Sequence, residues 1–272
     1  MAFFVLRVAR EKTDAPFATT RRLASRRDFL HIPDGYLSPQ TYVPLYGVSF
    51  AFWVVAMRKA RRELSARQVP YLAMAAAFSF LIQMFNFPAP GGTSGHAVGA
   101  ALVAILLGPW TAVIALSVVL FIQALVFGDG GITALGANCF NMAVVMPFVS
   151  YGVFRLVGRG STGGRRLSVA AFLAGYTGIC TAAIVAGIEF GIQPLIASGA
   201  GGKPLYAPYP LKIALPAMAL PHLLVFGVLE GLVTALLVRY IVKNEPWLVY
   251  GIRQAGTGGF GEKAPDSERR RP

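Results

Sequence analysis

The stretch that decides the fold class is MFNFPAPGGTSGHAVGAALVAILLGPWTAVIALSVVLFIQALVFG, residues Met84 to Gly128, which contains no Asp, Glu, Lys or Arg. A run of about 18 or more mostly apolar residues is long enough to cross the hydrocarbon core of a bilayer as a helix. The run is apolar on all sides instead of alternating, which disfavours a spanning strand. The sequence therefore predicts an all-α, polytopic membrane helix bundle.

The composition of the whole chain agrees with this prediction. Of its 272 residues, 55% are apolar and 14% are charged, whereas soluble domains have about 25% charged residues. The net charge of +13 could suggest a nucleic-acid partner, but the basic residues flank apolar segments, which is a signal of membrane topology. We therefore expect a multi-pass protein of the cell inner membrane, surrounded by lipid and with no nucleic-acid partner.

About seven transmembrane helices are predicted from the apolar runs between charges, Gly and Pro. Their predicted ranges are 41–57, 69–87, 96–108, 110–127, 138–157, 167–189 and 213–241. The third is short, and Gly108-Pro109 should turn the chain directly into the fourth. The last is long for one crossing, and we expect Pro216 and Pro221 to break or kink its first part.

The distribution of Lys and Arg predicts the orientation of the helices. If seven helices alternate, the loops after helices one and five and the C-terminal tail lie on one side and hold 16 basic residues. The loops of the opposite side, 88–95, 128–137 and 190–212, hold only Lys203 and Lys212. The start of the first helix is therefore predicted outside the cell, and the C-terminus in the cytoplasm.

The chain divides into three predicted regions. Residues 1–30 form a basic N-terminal extension with seven Lys and Arg residues, on the side predicted to be external, where positive charge is out of place. Residues 31–245 form the transmembrane domain. Residues 246–272 are rich in Gly, Pro and charge and are predicted to be a disordered cytoplasmic tail.

Histidines are the residues that could bind a metal ion. The chain has three, His31, His96 and His222, and each lies in a loop or near a helix start on the predicted outer side. His31 opens the segment HIPDGYLSP (31–39), and His96 lies in GGTSGHAVGA (91–100). From spacing alone, a metal site and a plain helix entry with turn residues both remain open.

Several other polar residues could support such a site or form ordinary hydrogen bonds between helices. Those predicted to lie around the site or its cavity are Asp34, Ser94, Asn138, Asn141 and His222. Glu189 and Glu230 lie in apolar segments, where a carboxylate is costly unless it is paired or functional.

The segments HIPDGYLSP and GGTSGHAVGA, together with GDGGITALGANCFN at 128–141, resemble the motifs of the CbiM/NikM family. Members of that family are substrate-binding membrane subunits of energy-coupling-factor transporters for cobalt or nickel. The resemblance covers about residues 31–245. It implies a metal site on the external side of a helical bundle. It also implies a coupling transmembrane subunit, a small accessory membrane subunit and cytoplasmic ATPase subunits as partners.

The resemblance also implies the ligands. In the family, the first motif starts at the chain's N-terminus with Met and His. Ni²⁺ or Co²⁺ is then held by the terminal amine, by the main-chain nitrogen and imidazole of that His, and by the His of the TSGH-like motif. His31 and His96 are the matching positions here. Four nitrogen ligands in a plane suit Ni²⁺ and Cu²⁺ and disfavour Zn²⁺ or Mg²⁺.

This sequence departs from the family pattern at Leu30, which stands where the family has the initiator Met. An internal Leu30 nitrogen is an amide and cannot be the terminal ligand. Three explanations are open: Leu30 is encoded by an alternative start codon and incorporated as Met, the extension is cleaved after Phe29, or a different fourth ligand is used. We favour the first hypothesis, because it also removes the misplaced positive charge of residues 1–30.

The sequence therefore predicts a non-enzymatic binding subunit for the import of Ni²⁺ or Co²⁺ as transported substrate. It has no phosphate loop of the GxxxxGK[ST] type, so ATP hydrolysis would have to come from partners. The alternatives are a stand-alone, ion-coupled secondary transporter and a membrane metalloenzyme. The first often shows inverted repeats, which are not evident here. The second is disfavoured by the lack of HExxH and GxSxG motifs.

Overall fold

The computed structural model describes residues 31–64, 68–89, 93–159, 161 and 163–250. The predicted N-terminal extension, including Leu30, and residues 251–272 of the predicted tail lie outside these ranges.

The described residues are mostly helical. Seven longer helices follow one another: α1 (Pro39–Glu63), α2 (Val69–Gln83), α3 (Ala100–Leu107), α4 (Pro109–Phe127), α5 (Leu135–Gly158), α6 (Gly164–Ile196) and α7 (Leu211–Asn244). A short antiparallel hairpin of β1 (Phe87–Ala89) and β2 (Thr93–Gly95) connects α2 to α3, with Phe87 opposite Gly95. The sequence did not predict this hairpin, which shortens both neighbouring helices.

Four of the helices in the described ranges are long and apolar enough to cross a membrane by themselves: α4, α5, α6 and α7. The predicted count of seven crossings is therefore not supported by length and composition alone. Helix α2 has 15 residues and α3 has 8. At a rise of about 1.5 Å per residue, α3 is only about 12 Å long.

Two glycines set the bounds of α3. Gly99 has φ +75° and Gly108 has φ +88°, a backbone region that residues with a Cβ rarely adopt. Helix α3 therefore begins at Ala100, four residues later than predicted, and residues 96–99 are not helical. Pro109 opens α4 directly after Gly108, which confirms the predicted tight turn.

Helix α7 passes through both of its prolines. The sequence predicted a break or a kink at Pro216 and Pro221. The helix is not broken, since it runs from Leu211 to Asn244, but its regular α-helical part ends at Pro221. The disturbance takes the form of a wider π-helical turn, His222–Phe226, which begins directly after Pro221. Similar turns lie in α4 at Gln123–Phe127 and in α5 at Cys139–Val145. Such turns often mark functional regions of helices.

Helix α6 packs along both α5 and α7 through its small residues. A Cβ added at Gly175 would lie 2.8 Å from the Glu230 carbonyl oxygen, and one at Gly178 would lie 3.1 Å from the Met146 carbonyl oxygen. Helix backbones can approach this closely only where a side chain is missing. The small-residue face of α6 is therefore occupied by the chain's own helices.

The first residues of the predicted disordered tail are ordered. Pro246–Leu248 form a single helical turn, and Val249 and Tyr250 are buried. The Tyr250 ring packs against Gly108 at the α3–α4 turn. Because this aromatic side chain covers apolar surface, the folded region extends to residue 250.

Candidate metal centre

Three loops that are distant in sequence meet at one end of the bundle. They are the N-terminal loop before α1, the β2–α3 loop with His96, and the α4–α5 loop, residues 128–134. The Gly131 N–H donates to the Ile32 carbonyl over 2.9 Å. A Cβ at Gly130, which has φ +82°, would lie 3.0 Å from the His31 Cβ. The glycines of the α4–α5 loop therefore let it lie directly against the residue that carries the first imidazole.

His31 and His96 come together, as the sequence predicted. Their ring centroids are 5.2 Å apart, with the ring planes at 67°. Each residue is only 6% exposed. Metal–nitrogen bonds are about 2.0–2.1 Å long, so two imidazoles that share one ion must be near neighbours in this way. Two buried imidazoles in edge contact could provide two nitrogen ligands to one metal ion.

A chain of hydrogen bonds determines which nitrogen of His31 can bind an ion. The Val98 carbonyl can only accept, so the Ser79 hydroxyl donates to it over 2.7 Å. Ser79 Oγ then accepts from Gln83 Nε2 at 2.9 Å, which leaves Gln83 Oε1 facing His31 Nε2 at 3.1 Å. Since Oε1 can only accept, His31 Nε2 carries the hydrogen. In the neutral imidazole, the nitrogen of His31 with the lone pair is therefore Nδ1.

His96 has the opposite arrangement. Its Nδ1 lies 3.1 Å from the Ala97 carbonyl oxygen, an atom that can only accept a hydrogen bond. Nδ1 is therefore the donor, and Nε2 is the nitrogen of His96 that can bind an ion. Orientation of a metal-binding imidazole through its other nitrogen is typical of metal sites.

A carboxylate lies beside the free nitrogen of His31. Asp129 Oδ2 is 3.4 Å from His31 Nδ1, on the side of the ring that is not bonded to Gln83. A negative charge at this position favours a cation near Nδ1. The arrangement thus combines two imidazole nitrogens with one nearby anionic oxygen.

Asn138 and Asp34 hold the loop that carries His31. Asn138 Oδ1 accepts from the Ile32 N–H and its Nδ2 donates to the Ile32 carbonyl, both over 3.1 Å. Asp34 Oδ1 accepts from the Thr133 N–H at 2.7 Å and from the Thr133 hydroxyl at 2.5 Å. Both side chains join the N-terminal loop to α5 or to the loop before it, and so limit the movement of His31.

The other predicted residues lie outside the paired imidazoles. His222 donates from Nδ1 to the Met218 carbonyl at 2.8 Å, and its ring contact in the described part of the chain is with Phe226. Asn141 Nδ2 donates to Glu189 Oε2 over 2.9 Å. Ser94 lies in β2, opposite Pro88 and two residues before His96.

The side chains by themselves do not complete a metal site. No group of three or more His, Cys, Asp or Glu residues among those the structure describes could hold a metal ion. Both cysteines, Cys139 and Cys180, are buried and unbridged. An ion held between His31 and His96 would therefore need donors other than a third His, Cys, Asp or Glu of the described ranges.

Sequence reasoning missed two residues of this site, Gln83 and Asp129. Gln83 is 0% exposed at the end of α2, and its polarity in an apolar helix was the only signal in the sequence. Asp129 lies within the motif GDGGITALGANCFN, in a loop between two apolar helices. Its role depends on a contact with a residue almost one hundred positions earlier, which only the fold reveals.

Four helices in the described part of the chain that are long and apolar enough to cross a membrane and two buried, adjacent imidazoles are consistent with a membrane protein that binds a metal ion. The family model for the cobalt uptake substrate-specific transmembrane region matches residues 31–248. The chain therefore belongs to the CbiM/NikM family of cobalt and nickel transport proteins.

Individual relatives agree with this family. The fused nickel transport protein NikMN of Rhodobacter capsulatus is 54% identical over 221 residues, covering 81% of this chain and 64% of the relative. This chain thus spans slightly less than two thirds of that fused protein. A putative metal transport protein of Methanocaldococcus jannaschii is 46% identical over 230 residues, covering 84% of this chain and 99% of the relative.

A solved structure has the same fold. The crystal structure of a truncated transition metal transporter is 48% identical and superposes with a TM-score of 0.75. The match covers 78% of this chain and 98% of that one. The arrangement of helices described above is therefore that of a transition metal transporter.

Proposed function

We propose that this chain is the ion-binding membrane subunit of an energy-coupling-factor transporter that imports Ni²⁺ or Co²⁺. The observation that carries the proposal is the pair His31 and His96, whose rings lie 5.2 Å apart with a lone pair on Nδ1 of one and Nε2 of the other. The relatives are named as nickel or cobalt transport proteins, which supports these two ions as the transported substrate.

The proposed ligands are nitrogens. They are His31 Nδ1, His96 Nε2, the main-chain nitrogen of His31 and the amine of residue 30. The amine is available only if the mature chain begins at Leu30, incorporated as Met. The lack of a third His, Cys, Asp or Glu among the described residues supports main-chain ligands, and nitrogen donors favour late first-row divalent ions. Intact-mass analysis of protein expressed from the native gene tests the start: a mature chain that begins at Met1 would exclude the terminal-amine ligand.

We propose seven crossings, with the first helix starting outside and the C-terminus in the cytoplasm. The third crossing would combine the non-helical residues 96–99 with α3. Arg155, Arg159, Arg165 and Arg166 at the α5–α6 connection support a cytoplasmic position for that end. Labelling of single introduced cysteines from outside intact cells tests this topology, since Cys139 and Cys180 are both buried.

The proposed partners supply the energy. They are a coupling transmembrane subunit, a small accessory membrane subunit and a pair of cytoplasmic ATPase subunits, as in energy-coupling-factor transporters. Uptake of the ion by cells should then require all of them. Uptake by this chain alone would favour a stand-alone secondary transporter instead.

Metal titration tests the binding role directly. Isothermal titration of the purified protein, with the processed N-terminus, should show one tightly bound Ni²⁺ or Co²⁺ per chain. His96→Ala should abolish this binding, because it removes one of two imidazoles. His222→Ala is the matched control and should bind as the wild type does, since His222 is bonded within its own helix. Equal binding by the His96→Ala variant and the wild type would refute the role of His96.

A further inference from the structure

The main chain between His96 and α3 is buried without being helical. Val98 is 3% exposed and Gly99 is buried as well. Main-chain N–H and carbonyl groups inside a membrane protein must find partners within the protein, because lipid offers none. The partners of this short segment therefore decide how firmly His96 is held.

The carboxyl group of Glu230, in α7, accepts hydrogen bonds from the main-chain N–H groups of this segment. Its side chain is 0% exposed. Oε2 accepts from the Val98 N–H at 2.8 Å and from the Gly99 N–H at 3.1 Å, while Oε1 lies 3.0 Å from the Gly99 nitrogen. The Val98 and Gly99 N–H groups lie at the N-terminal end of α3, where main-chain N–H groups have no partner within the helix.

The peptide group that joins Val98 to Gly99 is held at both ends. Its N–H is bonded to Glu230, and its carbonyl accepts from the Ser79 hydroxyl over 2.7 Å. Ser79 leads through Gln83 to the His31 imidazole. One peptide group therefore connects α7 with the hydrogen-bonded chain that orients His31, two residues away from His96.

We propose that Glu230 is a positioning residue for the bound ion. It does not touch the ion. Its carboxylate holds the turn after His96 so that the imidazole meets that of His31, and it links the ion site to α7. This inference rests on the proposed function, since the effect it predicts is on Ni²⁺ binding, but the clamp itself can be measured without any metal.

The key variant is Glu230→Gln. The glutamine has one acceptor oxygen, and its amide group would present donors to main-chain N–H groups that are themselves donors. The matched control is Thr234→Val, a change of similar shape one turn further along α7. Thr234 is also 0% exposed, and its hydroxyl has no hydrogen-bond partner among the described residues.

Three measurements separate a positioning role from a purely structural one. Hydrogen exchange of the metal-free protein reports the clamp and should become at least about tenfold faster at residues 98–99 in Glu230→Gln. Nickel titration and the visible absorption spectrum of bound Ni²⁺ report the ligand geometry. We expect about tenfold weaker binding and a shifted spectrum, whereas Thr234→Val should match the wild type in all three readouts.

Each outcome decides the proposal. Unchanged exchange in Glu230→Gln, or faster exchange with wild-type affinity and spectrum, would overturn it. An equal loss of affinity in Thr234→Val would show a general effect of α7 and would also overturn it. If the wild type binds neither Ni²⁺ nor Co²⁺, the proposed function fails, and the exchange data still show whether the clamp exists.

A second variant keeps the proposal testable if the Glu230→Gln protein does not fold. Gly99→Ala changes the same turn and leaves the carboxylate intact. Gly99 has φ +75°, and a Cβ there would lie 3.0 Å from Cε1 of the Phe78 ring. This variant should weaken Ni²⁺ binding and shift the spectrum in the same direction. A folded Gly99→Ala protein with the affinity and spectrum of the wild type would contradict the proposal.

Discussion

Replacement of Gln83 by leucine should weaken metal binding although Gln83 is not expected to touch the ion. Leucine has a similar volume and fills the buried position, but it removes two hydrogen bonds, 3.1 Å to His31 and 2.9 Å to Ser79. It also leaves a buried imidazole N–H without its acceptor. The His31 ring is then free to turn or to place its hydrogen on Nδ1, the nitrogen needed by the ion.

The structure gives a magnitude for this change. Each lost hydrogen bond contributes about 1 kcal/mol net, and a buried donor left without a partner costs about 1–3 kcal/mol. Part of this cost falls on folding and part on the orientation of His31. Loss of a group that orients a metal ligand typically weakens binding by about 10–100-fold, and we expect Gln83→Leu to fall in this range.

Titration of Ni²⁺ into the purified variant measures the effect. Gln123→Leu is the matched control, because Gln123 is also a fully buried glutamine in an apolar helix. Neither of its side-chain polar atoms has a hydrogen-bond partner among the described residues, so its loss should leave binding unchanged. Gln83→Glu should restore part of the affinity, since it still offers an acceptor to His31 Nε2.

Two results would refute this reasoning. A folded Gln83→Leu protein that binds Ni²⁺ as tightly as the wild type would show that the hydrogen-bonded chain does not orient His31. Equal losses in Gln83→Leu and Gln123→Leu would show that any apolar replacement in the bundle disturbs binding. If Gln83→Leu does not fold, Ser79→Ala breaks the same chain one step further away and should weaken binding to a smaller extent.

Three further predictions concern the loops and the ion. Asn138→Ala should weaken Ni²⁺ titration by about tenfold or more, because both hydrogen bonds to Ile32 are lost; unchanged affinity would contradict the role of this clamp. Asp34→Ala should speed hydrogen exchange at the Thr133 amide, whose acceptor it removes, and wild-type exchange there would disprove this contact. Nickel at 100 times its Kd should stabilise the wild type in thermal unfolding by about 2.7 kcal/mol, and the His96→Ala variant should show no such shift.

The fold class could be read from the sequence because membrane insertion depends on local composition. A helix that crosses lipid satisfies its own main-chain hydrogen bonds, so its length and apolarity are encoded within one segment. The long apolar runs of α4 to α7 were found in this way. The bounds of α3 were not, because its start depends on the positive φ of Gly99 and on partners from α7, which no local pattern indicates.

The candidate ligands were also predictable, since imidazoles in glycine-containing loops are a local signal, and the family resemblance paired His31 with His96. The groups that orient them were not predictable. Gln83, Asp129 and Glu230 each act on a residue that is at least 50 positions away in the sequence. A polar residue in an apolar segment indicates only that its side chain needs a hydrogen-bond partner. Which residue becomes that partner depends on how the helices pack.

The sequence by itself thus predicted a membrane helix bundle and named His31 and His96 as the candidate ligands. Only the tertiary structure decided which nitrogen of the His31 imidazole donates to Gln83. The position of the hydrogen on His31 is fixed by a chain of hydrogen bonds that runs from the Val98 carbonyl through Ser79 and Gln83 to His31. Its direction is set by a carbonyl that can only accept, and such a series exists only after three separate segments have folded together.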